Sequence, residues 1–560
     1  MKQKLISVGL FTVLLASSAG AAGKIAFKES YIEFDGVGHD RVFADFNGDG
    51  KEDLGVQYTL SDQEDKYFFY VFYQGPGGSF GPDPDISLTL PEDAKLFDAG
   101  NVAPSKGDEL VILLDKGMFY YEKRGKSFSG LKPLFQSKSL FASAEPSRPL
   151  YQNFLWNLDQ EGYDEVIFPT GKGPELYQRG EGGEKNFELM QKLNLPVEVT
   201  YRVGGLGDIM TTDDINQFLR FQPYGKRLTA NLTLPDIFVM DADGDGLLDI
   251  LGLLKNKLKI FCQQADGHFP EKPTAVVEKQ ILTPDEKKLS MSGQGMTLAN
   301  LNGDETLDII MTKWGSTENR SRMTRYIYYG KKGLKYNQAP DQVIATTSAI
   351  VDFGIYDLNR DGKKDLLIPF FHFAPSTAFK MMTENSIKIQ FRIFLMGPDG
   401  RYSQGEGKNF ATPDKRKMLN YKVDIIGVIL DFQTLIEGKF HPLINFGHDF
   451  NGDSYLDIVA DTGADKINFY WGNADVKYSQ MPDQVVPLES AVTYDIHDLN
   501  HDKKADIITY YESEERVKKR RKIAQEAYRS GRTEAITPEI EASALLSTKE
   551  QTRIKILLSE

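Results

Sequence analysis

Cysteine is almost missing from these 560 residues: Cys262 is the only one. A lone thiol excludes an internal disulfide framework, so stability must come from buried apolar surface and bound metal. Histidine is sparse as well. The seven, at 39, 268, 372, 441, 448, 497 and 501, fall into no HExxH or other metal-ligand spacing. No Walker loop or CxxC pair is present, which removes the sequence signatures of P-loop enzymes and dithiol redox proteins. Positive charge is in deficit: 66 Lys and Arg against 80 Asp and Glu leave a net charge of -14, which argues against a nucleic-acid partner.

Long apolar runs are confined to the first residues, MKQKLISVGLFTVLLASSAGAAG. Lys2 and Lys4, the stretch from Leu5 to Ala16 and the small residues Ala19, Gly20 and Ala21 predict a secretory signal peptide over 1–22, too short for a membrane span. No Cys follows it, so an acylated N-terminal Cys is not indicated. An exported protein is expected, periplasmic, cell-surface or secreted, with no transmembrane span.

What the chain has in abundance is one nine-residue phrase with an acidic or amide residue at positions 1, 3, 5 and 9. It reads DFNGDGKED from Asp45, DADGDGLLD from Asp241, NLNGDETLD from Asn300, DLNRDGKKD from Asp357, DFNGDSYLD from Asp449 and DLNHDKKAD from Asp498. A chance match at four such positions has a frequency of roughly one in ten thousand per register, so six copies are not accidental. Alternate residues of a tight loop turn their oxygens toward one centre, and oxygen donors in that number suit a hard cation such as calcium. The side-chain candidates are Asp45, Asn47, Asp49 and Asp53; Asp241, Asp243, Asp245 and Asp249; Asn300, Asn302, Asp304 and Asp308; Asp357, Asn359, Asp361 and Asp365; Asp449, Asn451, Asp453 and Asp457; and Asp498, Asn500, Asp502 and Asp506. Eighteen of these are carboxylates, so six divalent ions would offset twelve negative charges. Much of the acidity is then metal-site acidity, and the calcium-free protein is expected to be less stable.

An EF-hand is excluded because its loop ends in a bidentate Glu at position 12, where this chain has Val56, Gly252, Met311, Ile368, Ala460 and Thr509. Short apolar runs follow position 9 instead, such as LGVQY after Asp53 and ILGLL after Asp249, and others precede position 1, such as DIFVM before Asp241. Each loop therefore joins two strands. Degenerate copies, NVAPSKGDE from Asn101 and NLDQEGYDE from Asn157, fill the gaps. The starts recur about every 50 to 60 residues apart from two longer intervals, a propeller-blade period. A strand with a Gly-rich turn and a further strand complete each unit as A, loop, B, C, turn, D, which predicts an all-β propeller of four-stranded blades. Eight blades are expected, with seven plus a decayed repeat as the alternative. KIAFKESYIEF near the N-terminus is expected to supply strand D of the last blade and close the ring.

The phrases DFNGDGKEDLGV and DADGDGLLDILGLL, with turns such as FYQGPGGSF, resemble the FG-GAP or VCBS repeats of integrin alpha-subunit propellers and bacterial exported proteins. The resemblance covers nearly the whole chain after residue 22. It implies that these loops bind several structural calcium ions, five or six, with the main-chain carbonyls of Lys51, Leu247, Thr306, Lys363, Tyr455 and Lys504 at position 7 as further ligands. Glu305, Ser454 and Lys503 depart from the pattern in place of the turn Gly, and Asn101, Ala103 and Ser105 are expected to have lost the metal.

In such a blade the AB and CD turns share one face, and the BC and DA connections share the other. Non-repeat material, helical or irregular, is expected over 201–233, 374–386, 405–441 and 512–548, with Trp314 to Thr324 a further BC insertion, all on the face away from the loops. Loops on a rigid scaffold are where binding evolves, so this face is the expected site for a protein or glycan ligand, with the oligomeric state open. Within 512–548 the basic run Lys518, Lys519, Arg520 and Arg521 reads as a solvated helix or a cationic patch. Trp314 with Arg320, Arg322 and Arg325 reads as strand-end packing or a sugar clamp. His448 and His497 each precede a loop and read as repeat structure. The function predicted is a recognition, adhesion or scaffold protein more than an enzyme; the alternative is a carbohydrate-active enzyme such as a polysaccharide lyase on a calcium-loaded propeller.

Overall fold

Each apolar run after a position-9 carboxylate becomes the second strand of a four-stranded antiparallel sheet, because β-branched and aromatic side chains fit a surface buried on both faces. The computed structural model describes residues 24–60, 63–124, 127–142, 148–160, 162–180, 187–203, 228–288, 292–317, 320–346, 353–370, 386–403, 413–422, 444–461, 466–488, 493–511 and 551–560. Residues 1–22, the basic run at 518–521 and the insertions at 374–385 and 512–548 fall outside these.

Eight blades follow one another around a ring, so the eight-blade expectation holds. Their A strands are Val37–Ala44, Leu96–Gly100, Leu155–Trp156, Asp236–Met240, Gly293–Ala299, Gly354–Tyr356, Ile444–His448 and Thr493–His497. Blade 8 takes its B strand from Asp506–Tyr511, its C strand from Gln551–Ser559 and its D strand from Phe27–Asp35. The two segments pair antiparallel from Phe27 opposite Ser559 to Asp35 opposite Gln551, so the ring closes as the sequence predicts.

The core is not inside the blades but between them. Eight apolar clusters occupy the eight junctions, for instance Ile32, Tyr58, Phe72 and Ile556 between blades 8 and 1, and Leu251, Ile260, Ile309 and Met311 between blades 4 and 5. Each sheet thus buries both faces against its neighbours, and no blade has a core of its own. The A strands of blades 1 and 2, 2 and 3, and 6 and 7 touch one another.

Three expectations about the insertions need correction. Trp314 to Thr324 is no insertion: Asp308–Thr317 and Arg320–Tyr328 form one long hairpin, with Trp314 opposite Met323. The Trp314 ring lies across Gly293, its partner in strand A, where a Cβ would come within 2.3 Å of the ring. Arg325 is fully buried with its guanidinium 4.5 Å from the centre of the Phe353 ring, so Trp314 and Arg325 pack the fold rather than form a surface clamp. Second, Lys415–Lys422, inside the expected insertion 405–441, is strand D of blade 6. Third, the insertion expected over 201–233 begins at Glu198, and its described parts are the two strands Glu198–Val203 and Leu228–Thr233, paired as a separate hairpin. The only helices among the described residues are single 3-10 turns, and none is long and apolar enough to cross a membrane.

Candidate metal loops and the axial channel

Every one of the six full loops adopts the same backbone. Positions 4 and 6 are left-handed throughout, with φ between 57° and 87°. Glycine supplies this at Gly48, Gly50, Gly244, Gly246, Gly303, Gly362 and Gly452, while Arg360, His501, Glu305, Ser454 and Lys503 adopt it with a side chain, at a steric cost. These reversals wind the chain so that side chains at positions 1, 3 and 5 accept hydrogen bonds from amides further along the loop. Asp45 takes N–H bonds from Gly48, Asp49 and Gly50 at 2.6 to 2.9 Å. In all six loops the position-7 amide donates to the position-5 carboxylate, as Leu247 does to Asp245 at 2.9 Å and Tyr455 to Asp453 at 2.8 Å.

Donor oxygens gather as a result. Asp241, Asp243 and Asp245 each offer a carboxylate oxygen, and the three lie within 4.8 Å of one another. This all-oxygen, multiply anionic set has the chemistry a hard divalent cation requires. In the other five loops position 3 is Asn; four of these asparagines donate from Nδ2 to the position-5 carboxylate, as Asn302 does to Asp304.

Position 9 behaves differently. All six carboxylates are fully buried. Each ties its own AB loop to the far end of its own strand C: Asp308 accepts from Leu301 N–H at 2.8 Å and from Gly330 N–H at 2.7 Å, and Asp457 accepts from Phe450 and Gly472, both at 2.8 Å. Burial, aided by neighbouring loop carboxylates, pushes Asp53 and Asp457 up to about 7 and Asp308 up to about 6, against the opposing pull of these amides. A cation nearby would oppose the rise.

Adjacent loops are also stitched together. The position-8 amide donates to a carbonyl at position 1 or 2 of the preceding blade's loop, as Asp108 does to Asp45, Asp164 to Asn101, Leu307 to Ala242, Lys364 to Leu301 and Ala505 to Asp449, at 2.7 to 2.9 Å. At two further junctions a buried glutamine does this: Gln263 Nε2 reaches Leu158 O at 3.2 Å, and Gln74 Nε2 reaches Leu499 O at 2.5 Å. Sequence reasoning missed both glutamines; the signal was their shared place, directly after strand C, in YFFYVFYQ and KIFCQ.

The loops of blades 2 and 3 keep the trace with other chemistry. Glu109, fully buried at position 9, accepts from Val102 and Ala103 N–H and from the Ser105 hydroxyl. Glu165 accepts from Leu158 N–H at 2.7 Å. Burial pushes Glu109 up to about 7 and Glu165 up to about 8.

Cys262 is a buried thiol directly after the strand Lys257–Phe261, pushed up to about 12 by burial and by Asp249 and Asp243, with whose carboxylates its sulfur clusters. The His497 ring lies 4.3 Å from Phe43 at the junction of blades 8 and 1. Burial lowers both His497 and His448, and His497 lowers His448 further.

Around the axis, the A strands of blades 8 and 1 are clasped by Arg41 Nε and Asp495 Oδ2 at 2.6 Å, with the guanidinium 3.6 Å above Tyr510. A fifth strand, Leu150–Tyr151, pairs in parallel with the start of Leu96–Gly100 in blade 2, on the open inner edge of strand A. Leu150 N–H donates to Lys95 O at 3.0 Å and Gln152 N–H to Phe97 O at 3.1 Å, so this connection runs through the channel mouth on the face away from the loops.

No family model matches the sequence, and no curated protein matches it. One solved structure that is similar in part is an Agrocybe aegerita lectin described as specifically recognising non-reducing terminal N-acetylglucosamine; it is 14% identical, the alignment covers 80% of this chain and 90% of that one, and the TM-score is 0.38.

Proposed function

We propose that this chain is an exported, calcium-stabilised propeller of the FG-GAP or VCBS kind, a rigid scaffold that recognises a glycan or a protein on the face away from its loops. The observation that carries the reading is the convergence of Asp241, Asp243 and Asp245 within 4.8 Å, in a loop whose backbone recurs five more times. Positions 1, 3 and 5, with the position-7 carbonyl and the position-9 carboxylate, would hold the ion. Bound calcium supplies charge neutralisation and rigidity. The chain's own residues pre-form the loop: left-handed turns aim the oxygens, and the buried position-9 carboxylate fixes the loop to the blade. Because the loops of adjacent blades are hydrogen-bonded to one another, rigidity at one is passed to the next.

The test is a titration of calcium into chelator-treated protein, reading stoichiometry and melting temperature together. Five or six ions with a raised melting temperature support the reading. No binding, with equal melting temperatures in chelator and in millimolar calcium, overturns it.

A further inference from the structure

The inner strand of blade 1 carries a bulge: Gly38 is opposite Tyr58 and Arg41 opposite Val56, so His39 and Asp40 are crowded into the space of a single residue. Bulges of this kind re-aim side chains and are frequent beside binding sites. Here the bulge carries Asp40 to the strap in the channel mouth, where its Oδ2 accepts Tyr151 N–H at 3.3 Å and lies 3.9 Å from Arg148. The strap itself is unusual in what it exposes. Tyr151 is 40% exposed, in ring contact with Phe97, and the following Gln152 and Asn153 are exposed beside it. Arg41, about a quarter exposed, completes the rim from blade 1.

We propose that this axial mouth, away from the loops, is a binding site for a neutral saccharide, a proposal that rests on the glycan branch of the recognition reading. A pyranose presents an apolar C–H face and a rim of hydroxyls that each donate and accept. Tyr151 offers a rigid aromatic platform with a polar tip, and Asn153 and Gln152 offer amides that both donate and accept. Asp40 accepts and the arginines donate. Among the described residues, the charges named here cancel in pairs, Arg41 with Asp495 and Arg148 with Asp40, so these four groups leave no net charge to complement in an ionic ligand. Three blades contribute to the rim: Asp495 from blade 8, Asp40 and Arg41 from blade 1, and the strap from blade 2. The site therefore exists only in the closed ring.

The experiment applies the full chain, in millimolar calcium, to an array printed with neutral and acidic oligosaccharides, beside the variants Tyr151→Ala, Tyr151→Phe and Asp40→Asn. Expected is retention on neutral glycans that falls about tenfold or more in Tyr151→Ala and survives in Tyr151→Phe, with melting temperature and calcium stoichiometry unchanged. If Tyr151→Ala fails to fold, Asp40→Asn carries the comparison, with a smaller loss expected. Glycan retention that no variant weakens overturns the assignment of this mouth while leaving a glycan-binding scaffold. Selective retention on acidic glycans overturns the neutral class. No retention of any glycan overturns the proposal outright and leaves the scaffold with a protein ligand; loss of calcium binding would instead fault the scaffold reading itself.

Discussion

Blades 2 and 3 and the other six share one chain trace across the loop face but hold it with different chemistry. In the six, the position-5 carboxylate accepts the position-7 amide, and in the loop from Asp241 three carboxylates converge. In blade 2, Glu109 turns into its own loop and bonds the Ser105 hydroxyl, so a neutral donor stands where charge would otherwise collect. What survives in both classes is the buried carboxylate at position 9 and the stitch from position 8 to the preceding blade. The difference separates two jobs that the motif alone runs together. Positions 8 and 9 build the propeller; positions 1, 3 and 5 are surplus to that need and are what the cation proposal explains.

Asp308→Ala breaks the comparison most severely. It leaves the buried amides of Leu301 and Gly330 without acceptors and should cost about 3–5 kcal/mol in urea unfolding even in chelator, and more in calcium, where an ion ligand is lost as well. Gln263→Ala removes the stitch to Leu158 and should cost about 1–3 kcal/mol, independent of calcium. Asp245→Asn sharpens the contrast from the other side. It should lose one ion from the stoichiometry and about 1–2 kcal/mol of stability in calcium, and close to nothing in chelator. Lys503→Gly relieves a left-handed residue at φ 70° and should stabilise by about 1 kcal/mol, read as a higher melting temperature.

A further effect is read in pH rather than in denaturant. Glu165 is raised from 4.5 to about 8 by burial, so the folded state prefers its neutral form. Its contribution is fully present below the unfolded value and is lost as pH rises through about 8. Glu165→Gln can keep the bond from Leu158 N–H and should flatten the decline of stability between pH 5 and 8 in chelator. An unchanged slope would mean that this carboxylate is ionised in the fold.

The sequence made the repeating blade and its closure legible because both are written locally: a loop phrase, an apolar run, and the alternating strand KIAFKESYIEF. It hid what depends on distant partners. The second bond of each position-9 carboxylate goes to the far end of strand C, 21 residues on for Asp53 and 53 for Asp506. Strand D of blade 6, KRKMLNYK, reads as a charged loop because an outermost strand pairs along one edge only and buries few apolar side chains, here Leu419 among them. The strap at Leu150–Tyr151 is two residues long and pairs in parallel, below what periodicity can register. Trp314 with its arginines left strand-end packing and a clamp both open, because the sequence cannot show that Gly293 lies beneath the ring.

The clasp between Phe27–Asp35 and Gln551–Ser559 has a consequence in time. A ribosome adding roughly 5 to 20 residues per second needs about half a minute to two minutes to pass from one partner to the other. Throughout that interval the early strand has no mate, and seven finished blades have nothing to close upon. The ring can therefore close only after the last strand has been made, however early the other blades form.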